Sequence, residues 1–221
     1  MVLESLVERR LRGEPLAWIT GTTVFCGLTI RVDQGVYVPR WQSEPLARRA
    51  ALRLPEAGIA IDLCTGSGAI AKTLLSERPA SRVVASDLDD RAVACASANG
   101  VEVYGGDLFA PIPRDLEGRV DVIVGVVPYV PTPSMRTLPR DTFVFESTLS
   151  YDGGPDGVDC LQRVIRESPR FIRPGGSLLL ELGGEQAEIL QDDLLECGFV
   201  DVAILSDDDG DVRGLEAIFQ R

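Results

Sequence analysis

The sequence predicts an α/β protein built on one doubly wound, mostly parallel sheet, and three observations indicate this fold. First, segments typical of strands and of helices alternate along the chain from residue 58 onward. Second, the runs at 58–64 and 120–126 are mainly apolar, as expected for strands that are buried on both faces. Third, glycines follow several of these strands and permit tight turns. The 221 residues suffice for one full core and leave little room for a second ordinary domain.

The spacing of apolar residues and the breaks at proline and glycine predict the elements in order. Before the sheet, the pattern predicts a helix at 3–12, a β-hairpin at 23–33 and a helix at 44–54. The seven predicted strands of the sheet are 58–64, 82–86, 101–104, 120–126, 177–182, 200–205 and 214–219. The helices predicted between them are 69–77, 90–98, 157–172 and 185–197. We therefore divide the chain into an N-terminal helix and β-hairpin extension, 1–45, and a main domain, 46–221.

Charge and hydropathy argue against two kinds of partner. The chain has 34 acidic and 22 basic residues, which gives a formal net charge of −12. Such a surface repels phosphate backbones, so we do not expect a nucleic acid partner. No apolar run approaches the roughly 20 residues that span a bilayer, and the first residues lack the apolar core of a signal peptide. We expect no membrane association and a cytoplasmic location.

The residue types available for chemistry are restricted. The chain contains no histidine, so it lacks the commonest general base and the commonest metal ligand, and we predict no metal site. The cysteines are scattered without a CxxC pair, which argues against both a disulfide framework and a zinc site. We interpret most of them as small core residues; they are Cys26, Cys64, Cys95, Cys160 and Cys197.

A glycine-containing segment at the first strand-to-helix junction of the sheet indicates a ligand site. Residues 62–68 read Asp-Leu-Cys-Thr-Gly-Ser-Gly, and glycines there let the backbone approach a ligand closely. Asp87 ends the next strand, where a carboxylate can accept hydrogen bonds from ribose hydroxyls. Asp107 follows the third strand and can accept from an adenine amino group, while Leu108 or Phe109 packs on the ring. Each aspartate alone is explained as well by a cap or turn, but their order supports a cofactor site.

Two other nucleotide-binding motifs do not fit this loop. A dinucleotide fingerprint requires a glycine at position 64 or a third glycine near position 71, where Cys64 and Ala71 stand. A P-loop requires Gly-Lys-Ser/Thr, and the only lysine of the chain, Lys72, lies inside the predicted helix. A dehydrogenase is therefore disfavoured, and a P-loop protein is excluded.

After the fourth strand, residues 125–131 read Gly-Val-Val-Pro-Tyr-Val-Pro, at the sheet edge where α/β folds place reactive groups. Here the chain resembles the HemK-type protein-glutamine methyltransferases, which carry Asn-Pro-Pro-Tyr at this location and methylate the side-chain amide of a release-factor glutamine. The resemblance covers nearly the whole chain. Outside the cofactor segments it rests on Gly13-Glu14-Pro15-Leu16, Phe25-Cys26-Gly27, Val38-Pro39-Arg40 with Glu44, Glu146, Asp152-Gly153-Gly154, Asp156-Gly157 and Pro174-Gly175-Gly176.

The resemblance implies a Rossmann-like class I methyltransferase fold, with S-adenosylmethionine as the cofactor and a release factor or another protein as the substrate. It implies that 46–221 is the methyltransferase domain and that 1–45 is the remnant of a substrate-binding helical domain. Asp87 is implied at the ribose, Asp107 near adenine, and Arg40 at the closure of the site. The implied cofactor-binding residues are Arg40, Asp62, Cys64, Thr65, Gly66, Gly68, Asp87, Leu88, Asp107, Leu108 and Val126. The implied catalytic residues at the acceptor pocket are Val127, Pro128 and Tyr129.

The chain departs from the family pattern in two places. The family's N-terminal helical bundle is almost absent, so either substrate docking differs or the sequence is truncated. Val126 and Val127 replace the asparagine and the first proline of the motif. Valine cannot accept a hydrogen bond through its side chain, although the backbone carbonyl of Val127 can. Losing one such bond in the transition state costs about 1.5–4 kcal/mol, or roughly ten- to a thousandfold in rate.

Three functions follow from these observations. The leading hypothesis is methyl transfer from S-adenosylmethionine to nitrogen, on a glutamine or a related acceptor. An apolar pocket around Val126 favours instead the methylation of a small molecule. The missing asparagine and the missing bundle favour a cofactor-binding or interaction module without turnover. The oligomeric state does not follow from the sequence.

Overall fold

A computed structural model describes residues 2–221, apart from the side chains of Val2, Arg140, Asp141 and Phe143. Within this range the strands are β1 (Thr22–Phe25), β2 (Leu28–Arg31), β3 (Ile59–Leu63), β4 (Arg82–Asp87), β5 (Glu102–Gly105), β6 (Val120–Gly125), β7 (Ile172–Glu181), β8 (Phe199–Ser206) and β9 (Val212–Phe219). The helices are α1 (Val2–Leu11), α2 (Leu16–Thr20), α3 (Glu44–Arg53), α4 (Ala69–Glu77), α5 (Asp90–Ala98), α6 (Arg140–Phe145), α7 (Asp159–Glu167), α8 (Gln186–Ile189) and α9 (Gln191–Glu196).

Seven of these strands form one sheet in the order β5-β4-β3-β6-β7-β9-β8. The pairs from β5 to β7 are parallel, whereas β9 runs antiparallel to both β7 and β8. Parallel neighbours require crossover connections, and the helices that the sequence places between the strands supply them. The predicted doubly wound, mostly parallel, seven-stranded sheet is confirmed.

Two apolar clusters fill the two faces of the sheet. The central strands β3 and β6 are buried almost throughout, because helices cover both of their faces. On one face, α7 and α9 pack with β8 and β9 around Phe171 and Phe199. On the other face, α3 and α4 pack against the same central strands around Leu46 and Leu74. This packing fixes the carboxyl ends of the parallel strands, where the candidate site lies.

The N-terminal extension joins the second of these clusters. Strands β1 and β2 form a separate two-stranded hairpin, as the alternation around Gly27 predicts. Trp18, Phe25 and Ile30 are buried together with apolar residues of α3 and α4. The indole N–H of Trp18 donates to the carbonyl oxygen of Val36 at 2.9 Å. The described part of the extension is therefore packed onto the main domain through apolar contacts and a buried hydrogen bond.

Two predicted helices are shorter in the structure. The helix predicted at 157–172 ends at Glu167, because Pro169 lacks an N–H and the chain continues as a 3-10 turn, Ser168–Arg170, that leads into β7. The helix predicted at 185–197 is divided into α8 and α9 at Leu190. The sequence predicted no helix between β6 and α7, where α6 lies.

Candidate active site

A cavity of about 480 Å³ lies at the carboxyl ends of the parallel strands. Ligands bind at this edge of open α/β sheets, near the point where the strand order reverses, which here is between β3 and β6. We call this the first cavity. Its walls contain the predicted residues Asp62, Cys64, Thr65, Gly66, Asp87, Leu88, Asp107, Leu108, Val126 and Pro128. Two residues predicted to bind the cofactor, Gly68 and Arg40, are not in its walls.

The loop after β3 turns tightly through left-handed backbone conformations. The φ angles are 54° at Cys64, 57° at Gly66 and 78° at Gly68. A Cβ added at Gly68 would lie 3.0 Å from Cγ2 of Val101, so this glycine is needed for close packing behind the loop. A Cβ added at Gly66 would meet only Tyr37, at 3.8 Å. Gly66 therefore lies on the open side of the loop, whereas Gly68 lies on the side that packs against Val101.

Asp62 is a buried carboxylate beneath this loop. Its Oδ2 accepts hydrogen bonds from Oγ1 of Thr65 at 2.6 Å and from the backbone N–H of Ala71 at 3.0 Å. Burial raises the pKa of Asp62 to about 7, and the nearby charge of Asp87 adds to the rise, although the two hydrogen bonds oppose it. A cation bound beside Asp62 would favour the ionised form.

Asp87 links the end of β4 to the glycine loop. Its Oδ2 accepts from the backbone N–H of Gly66 at 2.8 Å, and its Oδ1 accepts from that of Asp89 at 2.9 Å. Burial raises the pKa of Asp87, and these backbone hydrogen bonds oppose the rise. Because the carboxylate is held from two sides in the cavity wall, it is oriented to accept hydrogen bonds from a ligand's hydroxyls.

Asp107 forms an ion pair with Arg163, an arginine that the sequence did not indicate as a site residue. Arg163 of α7 donates to both oxygens of Asp107, at 2.8 and 3.2 Å, and also lines the first cavity. Arg163 is one of many arginines on amphipathic helices, and no sequence signal distinguishes it. Beside this pair, Leu108 has a φ of 45°, and its carbonyl oxygen accepts from the hydroxyl of Ser86 at 2.7 Å. The role of Asp107 at adenine stays a prediction.

The cysteines occupy both the core and the cavity wall. Cys95 is buried, whereas the other four are partly exposed. Cys64, which the family resemblance implies at the cofactor, and Cys160, which the sequence did not indicate, both line the first cavity. Their thiols interact: the hydrogen bond to Cys160, with burial, raises the pKa of Cys64, whereas the same bond lowers the pKa of Cys160.

A second cavity, of about 550 Å³, adjoins the first. Tyr37, Val126 and Ser150 line both cavities, so the two meet at these residues. The second cavity also contains the predicted residues Arg40, Val127 and Tyr129 in its walls, together with Glu181 at the end of β7. The residues predicted to act on the acceptor are thus divided between the cavities, with Val126 at the junction.

A glycine-rich loop packs tightly against Tyr129. A Cβ at Gly153 would lie 2.8 Å from Cα of Tyr129, and one at Gly157 would lie 2.3 Å from its carbonyl oxygen. That carbonyl oxygen accepts from Nε2 of Gln186 at 2.7 Å, and the N–H of Val130 donates to the carbonyl oxygen of Tyr151 at 2.8 Å. The glycines that carry the family resemblance therefore serve close backbone packing behind the acceptor segment.

The fold and the position of the first cavity define a class I S-adenosylmethionine-dependent methyltransferase. A methyltransferase of known structure from Pyrococcus furiosus has the same fold, with a TM-score of 0.63 and 18% identity over 97% of this chain and 98% of that chain. No family model matches the sequence. The cofactor is S-adenosylmethionine, and the enzyme class predicted from the sequence is confirmed.

Two relatives identify the family. The chain is 35% identical over 211 residues to the release factor glutamine methyltransferase of Geobacter sulfurreducens, covering 93% of this chain and 73% of that protein. It is 35% identical over 222 residues to the protein of the same name from Cereibacter sphaeroides, covering 97% and 78%. The chain belongs to the release factor glutamine methyltransferase family, the HemK-type family that the motifs indicated.

The residues of the first cavity fit this cofactor. S-adenosylmethionine carries positive charge at its sulfonium and its amino group, and the cavity places the carboxyl groups of Asp62 and Asp87 in its walls. The apolar side chains of Leu88 and Leu108 suit the faces of an aromatic base. Among the side chains that the structure describes, no group of three or more could ligate a metal ion, and no described helix is long and apolar enough to cross a membrane.

Proposed function

We propose that this chain transfers a methyl group from S-adenosylmethionine to the side-chain amide nitrogen of a glutamine in a peptide-chain release factor. The observation that carries the proposal is the segment after β6, in which Pro128 lines the first cavity and Tyr129 lines the second. Val126 lines both cavities, so a methyl acceptor bound in the second cavity would reach the first cavity at this segment. The names of the relatives support the choice of acceptor. We place the reaction in the cytoplasm, where release factors act.

The residues of this chain bind and orient the two reactants. Asp87 would hold the ribose and Asp62 would balance the positive charge of the cofactor, which when bound would supply a methyl group activated on a sulfonium. Asp107, together with Arg163, lies where the base would bind. Arg40 acts from the wall of the second cavity, where it fixes the acceptor side of the site. No residue needs to act as a metal ligand or as a histidine base.

The acceptor nitrogen must be positioned, because an amide nitrogen is a poor nucleophile whose lone pair is delocalised into the carbonyl group. Hydrogen-bond acceptors near the nitrogen orient it toward the methyl group. The backbone carbonyl of Val127 is one such acceptor, in place of the one that the first proline of the family motif offers. The side chain of Val126 offers none.

The test is to incubate the purified chain with a release factor and S-adenosylmethionine bearing a deuterated methyl group, and to locate the label by mass spectrometry. The proposal predicts label on one glutamine side chain. Label on a different residue would contradict the glutamine acceptor. Label found only on small molecules, when a metabolite extract is added, would support the alternative that the apolar surface of Val126 favours.

A further inference from the structure

The second cavity contains a buried carboxylate that has one oxygen without a partner. Glu181 ends β7, is 5% exposed and lines the second cavity. Its Oε1 accepts a hydrogen bond from the hydroxyl of Tyr129 at 2.8 Å. Its Oε2 is buried and makes no hydrogen bond to any residue that the structure describes. Burial raises the pKa of this carboxylate, and the buried hydroxyl of Ser43 beside it lowers the pKa, but neither this hydroxyl nor Oε2 forms a hydrogen bond of good geometry among the described residues.

Glu181 differs in this respect from the other buried glutamates. Each of the others within the described range is paired with arginine: Glu14 with Arg9, Glu146 with Arg40, and Glu216 with Arg49 and Arg53. No arginine of the described chain forms an ion pair with Glu181. Arg213 lines the same cavity and its charge also opposes the rise that burial causes in the pKa of Glu181, but its guanidinium forms ion pairs with Asp207 and Asp211. An unpaired carboxylate oxygen in such a place costs free energy unless a ligand donates to it.

We propose that Oε2 of Glu181 accepts a hydrogen bond from an N–H of the acceptor amide and thereby replaces the asparagine that is absent at Val126. This inference rests on the proposed function. A primary amide nitrogen carries two N–H groups, so one can be bound by Glu181 while a backbone carbonyl binds the other. A carboxylate also gives a stronger hydrogen bond than a neutral amide oxygen does. Glu181 is therefore an acceptor-binding residue, held in place by Tyr129.

Peptide binding tests the proposal without a variant. Two release-factor peptides that differ only in glutamine or glutamate at the acceptor position are titrated calorimetrically into the chain saturated with S-adenosylhomocysteine. The glutamine peptide should bind at least about tenfold more tightly than the glutamate peptide. An ionised glutamate side chain has no N–H to donate, and its charge repels the carboxylate of Glu181. Equal affinity for the two peptides, or no binding of the glutamine peptide, would overturn the proposal.

The isosteric variant Glu181→Gln tests the residue itself. The amide oxygen that this variant carries at position 181 can still accept a hydrogen bond from Tyr129. Its NH₂ group, however, is a donor and cannot accept a hydrogen bond from the N–H of the substrate glutamine. We expect the KM for the release-factor peptide to rise at least about tenfold, while the affinity for S-adenosylhomocysteine changes less than about twofold. The control is Glu216→Gln, which alters a buried glutamate of β9 outside both cavities and should leave this KM unchanged. An unchanged KM in Glu181→Gln would contradict the inference.

The outcomes distinguish this inference from the proposed function. If the wild-type chain prefers the glutamine peptide, Glu181→Gln weakens that preference and no methyl group is transferred, the proposed reaction fails and the amide-binding role of Glu181 stands. If the wild-type chain methylates the peptide and Glu181→Gln does so with the same KM, the reaction stands and the role of Glu181 fails. A variant that loses peptide and cofactor binding together would show a purely structural role and would also overturn the inference.

Discussion

The guanidinium of Arg40 lies 2.6 Å from the carboxylate of Glu146, which is almost completely buried. The same carboxylate accepts from the backbone N–H of Val38 at 3.0 Å and from the hydroxyl of Tyr151. These contacts join the N-terminal extension to the segment between β6 and α7. Since Arg40 and Tyr151 both line the second cavity, the ion pair fixes the wall of the acceptor side.

Replacement of Arg40 should therefore destabilise the protein and weaken acceptor binding. Arg40→Ala removes the counter-ion of a buried carboxylate, and we expect a loss of about 2 kcal/mol in the free energy of unfolding. Arg40→Lys keeps the charge but lacks the planar donor group, so its loss in the free energy of unfolding should be smaller than that of Arg40→Ala. Urea denaturation measures both values. If Arg40→Ala lowers the affinity for the cofactor and leaves stability unchanged, Arg40 contacts the cofactor as the family resemblance implies.

The raised pKa of Asp62 gives stability an unusual pH dependence. The ordinary pKa is 3.8 and the folded-state pKa is about 7, so between these values the folded chain binds more protons than the unfolded chain. The contribution of Asp62 to the free energy of unfolding should therefore fall as the pH rises from about 4 to about 7. Asp62→Asn keeps an oxygen that accepts from Thr65 and Ala71 but cannot ionise. Its melting temperature should fall less over this range than that of the wild type.

The same group couples cofactor binding to proton release. Because S-adenosylmethionine is positively charged, it favours the ionised form of Asp62, and affinity should increase as the pH rises toward about 7. Calorimetry below that pH, in two buffers of different ionisation enthalpy, should show net release of protons on binding. Asp62→Asn should reduce this release. If the variant releases as many protons as the wild type, the released proton comes from a group other than Asp62.

The two glycines of the cofactor loop should respond differently to substitution. Gly68→Ala combines a positive φ with a 3.0 Å contact to Val101, and we expect a loss of about 2–3 kcal/mol in stability. Gly66→Ala has the positive φ but more space, so it should cost about 1 kcal/mol. Since Gly66 lines the cavity, its variant should also bind S-adenosylhomocysteine more weakly. Equal losses of stability in the two variants would contradict this division of roles.

Val126 provides a test of the acceptor chemistry. Because Glu181 and a backbone carbonyl together bind both N–H groups of the acceptor amide in our proposal, Val126→Asn alone should change the rate of glutamine methylation little, whereas Val126→Asn added to Glu181→Gln should raise that variant's rate about tenfold. The matched control Val126→Leu adds bulk without an acceptor and should not raise the rate. Methyl transfer from labelled cofactor to a release-factor peptide is measured for the wild type and for each variant. If the wild type is inactive and only the asparagine variant transfers, the native chain is not a glutamine methyltransferase.

The parts of the fold that the sequence predicts best are those with local signals. Buried strands such as β3 and β6 are apolar runs, and the helix between Ala69 and Glu77 was predicted with its observed bounds. The helix before β7 was predicted too long because apolar spacing continues past Pro169, where the chain turns. The segment that contains α6 gave no clear pattern, since its position depends on contacts with distant residues.

The site was predictable only where a residue's position along a strand determines its role. Asp62 is the penultimate residue of β3, Asp87 ends β4 and Asp107 follows β5, so the sheet brings all three to one edge. Arg163 and Glu181 were missed because they reach the cavities through tertiary packing: Arg163 through α7, and Glu181 through its hydrogen bond to Tyr129. Arg40 lines the second cavity and pairs with Glu146, and its contact with the cofactor stays a prediction.

The most direct test of the central claim is a calorimetric titration of the purified chain with S-adenosylmethionine, together with the variant Asp87→Asn. The first cavity predicts binding at one site per chain, and a weaker affinity in the variant because one hydrogen-bond acceptor for the ribose hydroxyls is lost. No detectable binding to the wild-type chain at millimolar cofactor would contradict the assignment of the first cavity as the cofactor site.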